Sequence, residues 1–535
     1  MSFHITKNFI CTEDYPVADT PKGKIHGYKD NDVFCFHGID YAHAKRFHEA
    51  VPTEAWEGLK RAHDYGAGCP EMSYSREGKK DPFELILPQR VWNMSEDVLN
   101  LNVWTKSLDA SARKPVMVWF HGGGFAGGSA THLYSYEGYN MADLYDVVVV
   151  TVNHRLNMLG FLDLSDYGEE YQHSANLGVL DLVEALKWVR DNISAFGGDP
   201  ENVTIYGQSG GGGKVCTLMG MPSADGLYHR AIVQSGVFKK GLGNPKMKEM
   251  APLVLKNLGL TRETVHEIDD MDFNRLASGV MQALDELGFP RIMAPWAPSP
   301  DGEVFLGDPM SCGFRDEVKD IPVICGSIVT EFVPSPIGDK SKWSDEKKLS
   351  VISQRFGDDA AAVKAAYHEA YPELNDAYAA SVDLSVRPAV LEFLTKKASQ
   401  GGAPCYSYVM TFEQPYLGGI MLGHNTDLHF IFHNALNVEG MVIPGVTERL
   451  QDEMAGAWAA FAANGDPNHD KLTEEWKPFT AENQETFAFG NISMLKSGRY
   501  DAKLLSFEEK YGAPPAFKKE EKKDRHGILF SEENH

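Results

Sequence analysis

The sequence predicts an α/β protein, built on a large, mostly parallel central sheet with helices on both faces, helical insertions and a small antiparallel sheet near the N-terminus. Three observations carry this expectation. Residues 115–120 and 147–152 are valine-rich apolar runs, the pattern of strands buried on both faces. Between 178 and 192, apolar residues recur at 179, 182, 183, 186 and 189, the spacing of one helical face. The β-branched run 203–206 then leads through Gly207 into the glycines at 210–213, a strand followed by a sharp turn and a helix. With 535 residues, 43% of them hydrophobic, the chain can bury a large core. No linker, low-complexity run or internal repeat interrupts it. One domain over 1–535 is expected, with helical insertions at about 240–300 and about 335–415.

Taken in order, residues 20–41 read as short antiparallel strands with a hairpin, and 95–104 (SEDVLNLNVW) alternates like a strand at the margin of a sheet. The parallel sheet begins at 115–120, crosses through the helix at 178–192 and reaches the strand before Ser209. The tail from Lys518 (KKEEKKDRHGILFSEENH) is a mixed-charge solvated segment.

Composition narrows the function. The 75 acidic residues against 51 basic ones give a formal charge of −24, which repels nucleic-acid backbones and anionic membranes, so neither is an expected partner. No stretch approaches the length of a membrane span, and the first residues lack the features of a secretory signal. Seven cysteines, odd in number and without a C-x-x-C pair, suggest neither a disulfide framework nor a metal site, and no cofactor is implied. A cytoplasmic protein with reduced thiols is expected; oligomeric state is not legible.

Chemistry concentrates in three glycine-rich places. Gly207-Gln208-Ser209-Gly210-Gly211 matches G-x-S-x-G at a strand-to-helix turn, where a serine hydroxyl stands clear of the sheet edge and the N–H of Gly210 is free for an oxyanion. His121-Gly122-Gly123-Gly124 follows a buried strand, and its small residues let backbone N–H groups approach a ligand. His121 itself is expected to brace that turn. The third place is the loop 417–424, which brings His424 up to an apolar segment.

By these motifs the chain resembles the type-B carboxylesterases, the cholinesterase-like and p-nitrobenzyl-esterase-like family of the α/β-hydrolase fold. WFHGGGFAGGS at 119–129, VVVVTVNHRLNMLGFL at 147–162, the stretch 176–212, AIVQSG at 231–236, IPVICGS at 321–327 and AWAAFAANGDPN at 457–468 carry the resemblance. It implies a serine hydrolase acting on small-molecule esters through an acyl-enzyme. Ser209 would be the nucleophile, His424 the base and Glu331, on the loop after 321–325, the acid, with Gly123, Gly124 and Gly210 as oxyanion donors. Asp301 and Asp308 are weaker candidates for the acid. His429 and Asp427 are expected to serve packing and local bonding. Phe125, Gln208, Trp296 and Phe332 are pocket candidates. The resemblance also implies two ion-pair clamps, Arg46 with Glu96 and Arg155 with Asp181.

The departures concern substrate more than class. Gln208 stands where the family has Glu, Gly210 where it has Ala and His154 where Tyr is common; Val98 replaces the cysteine that secreted relatives join to one like Cys69. The expected reaction is hydrolysis of neutral carboxylic esters. Alternatives are an amidase or thioesterase on the same residues, and a non-catalytic binding member of the fold.

Overall fold

The computed structural model of the chain describes residues 5–72, 86–243, 245–289, 296–421 and 423–512; the tail from Lys518 lies outside them. Its central sheet has twelve strands: β1 (Phe9–Ile10), β2 (Tyr28–Asp30), β3 (Val33–Asp40), β4 (Asn100–Thr105), β5 (Lys114–Phe120), β6 (Val148–Val152), β7 (Gly198–Gln208), β8 (Arg230–Gln234), β9 (Val323–Ile328), β10 (Cys405–Thr411), β11 (Thr486–Gly490) and β12 (Met494–Lys496). Their order in space is β1-β2-β3-β4-β6-β5-β7-β8-β9-β10-β11-β12. The seven from β6 to β11 run parallel, and antiparallel strands extend the sheet at both edges. This is the α/β-hydrolase architecture. Two smaller sheets stand beside it near the N-terminus, one of three strands and one of two.

The valine-rich runs are buried on both sides because alternate side chains enter different cores. On β5, Val116, Val118 and Phe120 join one apolar cluster, and Met117 and Trp119 join the other. Helix α1 (Leu177–Asn192) covers the first face with Leu182, Val183, Leu186 and Val189. Another long helix, Val446–Asn464, covers the opposite face with Leu450, Met454, Trp458 and Phe461.

Two sequence expectations are corrected here. The strand at 100–105 is not marginal: β4 lies between β3 and β6, and all six residues are buried. Its polar members tolerate this because they are bonded, Asn102 to Thr151 Oγ1 at 2.9 Å and Asn100 to the Ala67 carbonyl at 2.9 Å. The stretch 335–415 is helical from Asp345 to Gln400 in three main helices, but it ends in β10, a strand of the central sheet. In the first insertion, Met250–Leu258 and Phe273–Glu286 are the main helices.

Both clamps form. Arg46 makes a two-pronged pair with Glu96 and also donates to the Met271 carbonyl at 2.6 Å. Arg155 pairs with Asp181 through Nε (2.9 Å) and a terminal nitrogen (2.6 Å), fully buried. Another fully buried pair besides Arg155–Asp181, Arg387 with Asp501 at 2.9 Å, carries no motif that would have pointed to it.

Candidate active site

Parallel strands deliver their carboxyl ends to one edge, where an open α/β sheet gathers its reactive groups. Ser209 follows β7, Ser235 follows β8, Glu331 lies three residues past β9, and His424 is on the loop after β10. Ser209 has φ +59° and ψ −127°, a strained conformation for a residue with a Cβ. Its amide donates to the Gln234 carbonyl at 2.8 Å, which holds the turn, and helix α2 (Gly210–Met219) begins at once.

The structure brings Ser209, His424 and Glu331 into one chain of contacts. Ser209 Oγ lies 2.6 Å from His424 Nε2, and His424 Nδ1 lies 2.6 Å from Glu331 Oε2. Glu331 is fixed from behind: its Oε1 accepts from Ser235 Oγ and from the Ile328 amide, both at 2.8 Å. Burial pushes the Glu331 carboxyl above its ordinary value, and the adjoining imidazole opposes that rise. Asp301 and Asp308 play no part in this chain of contacts. Asp301 accepts the amides of a turn, and Asp308 caps a short helix at Met310 and Ser311.

The glycine loop faces the same turn. Gly123 has φ +94°, a conformation that favours glycine, and the Gly210 Cα sits directly against the Gly124 backbone. Among the described residues, no acceptor takes the N–H groups of Gly123, Gly124 or Gly210. His121 braces the loop as expected, with Nδ1 2.7 Å from the Gly122 carbonyl, and burial followed by the Lys214 charge keeps its ring well below the usual histidine range.

The pocket candidates divide. Phe332 is 54% exposed and packs on His424 with ring centroids 4.3 Å apart and the rings tilted by 40°, an apolar surface at the base itself. Phe125 is buried edge-on against Phe161. Gln208 is 1% exposed and donates its side-chain amide to the His424 carbonyl. Trp296 is buried in the apolar core that also holds α1.

Sequence reasoning missed Ser235 and Lys214 in the surroundings, and it left the partners of Asp427 unnamed. Ser235, inside AIVQSG, holds the Glu331 carboxylate. Asp427 accepts from Tyr408 (2.6 Å) and Gln234 (2.9 Å), and burial pushes it up to about 6. Lys214, fully buried on α2, donates to the His121 carbonyl at 2.8 Å, and burial pulls its ammonium down to about 7. Nothing in the spacing of a lysine after four glycines separates it from a surface residue. His429 is packed, as expected, with Nδ1 2.6 Å from Ser135 Oγ.

Known proteins resemble the chain over nearly its whole length: residues 14–504 match the Carboxylesterase family. The chain belongs to that family. It is 31% identical over 487 residues to the para-nitrobenzyl esterase of Bacillus subtilis, covering 88% of this chain and 94% of the relative. A solved esterase from Clostridium hathewayi, described as able to hydrolyse aliphatic aromatic polyesters, superposes with a TM-score of 0.87 at 39% identity, covering 94% of this chain and 99% of that one. A carboxylesterase from Geobacillus stearothermophilus superposes with a TM-score of 0.68 at 30% identity, covering 91% and 99%. The protein is a carboxylic ester hydrolase. No helix among the described residues is long and apolar enough to cross a membrane.

Proposed function

We propose that Ser209, His424 and Glu331 form the catalytic triad, that the N–H groups of Gly123, Gly124 and Gly210 form the oxyanion hole, and that the substrates are neutral carboxylic esters. The observation that carries this reading is the unbroken chain Ser209 Oγ, His424, Glu331, with both links at 2.6 Å. Ser209 Oγ bonds to the acyl carbon while His424 Nε2 takes its proton; the carbon–oxygen bond to the alcohol then breaks, and His424 returns the proton to that leaving oxygen. Water repeats the sequence on the acyl-enzyme and releases the acid. Each oxyanion donor contributes about 2.7 to 4 kcal/mol to the transition state in comparable sites.

Neutral substrates are favoured by the uncharged amide of Gln208 beside the nucleophile, and apolar acyl or aryl groups by the exposed ring of Phe332 against His424. Short polyester oligomers therefore belong in a substrate panel, given what the Clostridium hathewayi relative hydrolyses. The free cysteines favour a cytoplasmic site of action.

Ser209→Ala tests the assignment. Hydrolysis of p-nitrophenyl butyrate falls by about a thousandfold or more with the fold intact, and an organophosphonate labels Ser209 alone. Near-normal hydrolysis by that variant removes the nucleophile from this reading. An anilide and a thioester run beside the ester separate an esterase from an amidase or a thioesterase.

A further inference from the structure

Three side chains near the N-terminus converge outside the hydrolytic machinery. Cys11 directly follows β1, His26 ends the strand Gly23–His26, and His63 comes two residues after the strand Leu59–Arg61. The parallel register of those last two strands pairs His26 with Arg61, so His63 emerges beside the end at which His26 sits. His63 Nε2 lies 3.2 Å from His26 Nδ1 and 3.8 Å from Cys11 Sγ, and the three ligand atoms all lie within 4.8 Å of one another. The two rings are crossed at 68°, so their nitrogen lone pairs can point at one centre without the rings colliding.

We infer that Cys11, His26 and His63 form a binding site for a borderline-soft divalent cation of the zinc class, with the fourth position open to water. The spacing fits such an ion. Zinc binds sulfur at about 2.3 Å and imidazole nitrogen at about 2.0 to 2.1 Å, so a tetrahedron places two nitrogens about 3.3 Å apart and a sulfur and a nitrogen about 3.5 Å apart. Two of the three edges are already within a few tenths of an ångström of these lengths.

The donor set decides the class of ion. A thiolate and two imidazoles select zinc and its neighbours over calcium or magnesium, which require several oxygen ligands. His26 is buried, His63 is partly buried and Cys11 is exposed, so the ion has both a rigid floor and access from solvent. On binding, the Cys11 thiol releases one proton and the two imidazoles contribute lone pairs. The ion then ties β1 to two strands of the neighbouring sheet, a brace rather than a hydrolytic centre.

The test uses the full chain, stripped of metal with a chelator and freed of added thiols, and titrated with cobalt(II). The expected result is saturation at one equivalent with a thiolate-to-cobalt charge-transfer band in the near ultraviolet, displaced by zinc. Cys11→Ser loses the band, His63→Ala weakens cobalt binding at least tenfold, and added zinc raises the melting temperature of the wild type but not of Cys11→Ser. Hydrolysis of p-nitrophenyl butyrate is unchanged in both variants, which shows that they fold. A wild type without the band, or a Cys11→Ser variant that keeps it, overturns the site.

Discussion

The side-chain amide of Gln208 donates to the backbone carbonyl of His424, tying the strand that presents the nucleophile to the loop that presents its base. The bond spans 216 residues of sequence and is made by the position immediately before Ser209. Gln208→Met keeps the length of the side chain and removes the donor. Its kcat is expected to fall about tenfold with little change in KM, because a small displacement of the base costs rate more than binding. Steady-state kinetics on p-nitrophenyl butyrate check this; an unchanged kcat means the loop is held by other contacts.

The same position controls charge. A carboxylate about 6 Å from a bound cation, at an effective dielectric of about 20, is worth about 3 kcal/mol before screening. The wild type, with an amide there, is expected to treat butyrylcholine and its neutral isostere 3,3-dimethylbutyl butyrate alike. In Gln208→Glu the new carboxyl would be buried against a carbonyl oxygen, which raises its pKa. Preference for the choline ester should therefore appear in that variant and grow with pH. A strong preference for the cation in the wild type would place the selectivity elsewhere.

How much of this was legible beforehand depends on whether neighbours in space are neighbours in pattern. The parallel core announced itself because β5 and β6 are apolar on both faces. The interior place of β4 did not, because Asn100 and Asn102 mimic an exposed face and their partners, Ala67 and Thr151, are distant in sequence. Ser209, Glu331 and His424 could be located because each follows its own strand in a fixed order. Ser235 and Lys214 could not, since what distinguishes them is the atom each one touches. Cys11, His26 and His63 lie too far apart in the chain for any spacing rule, and only the sheet register joins them.

Gly210 rests against Gly124, so a methyl group added at 210 would land on the backbone of the glycine loop. Gly210→Ala must push that loop away or shift α2. We expect kcat to fall by about tenfold to a hundredfold as the proposed oxyanion donors move apart, with a smaller change in KM. A fully active Gly210→Ala enzyme would show that the loop yields without cost.

Ser235→Ala removes one of the two donors to Glu331 Oε1. Burial already raises this carboxyl, and losing a donor to its charged form raises it further. The less well satisfied carboxylate also draws more strongly on the imidazolium beside it. Both effects move the acid limb of kcat/KM to higher pH, a macroscopic shift of the pair. A pH profile identical to the wild type would mean that the Ile328 amide alone sets the state of Glu331.

Lys214 is the unusual residue behind the glycine loop, a fully buried ammonium whose hydrogen-bond acceptor is the His121 carbonyl. Desolvation lowers its pKa from 10.5 to about 7. The folded protein therefore sheds this proton near pH 7, whereas the unfolded chain keeps it until about pH 10.5. Between those values the unfolded state binds more protons, so this group makes stability rise with pH across that window; below pH 7 both states are charged and the full cost of burial is present. At about 1.4 kcal/mol per unit, the rise is on the order of 5 kcal/mol. Lys214→Met replaces the charge with an apolar side chain of similar length. The test is denaturant unfolding of both proteins from pH 6 to pH 10. The variant should be the more stable near pH 6, and its advantage should shrink steadily toward pH 10 as the wild-type lysine loses its charge. A difference that stays constant over the range would mean that Lys214 keeps its proton in the folded protein and that its bond to His121 offsets the burial.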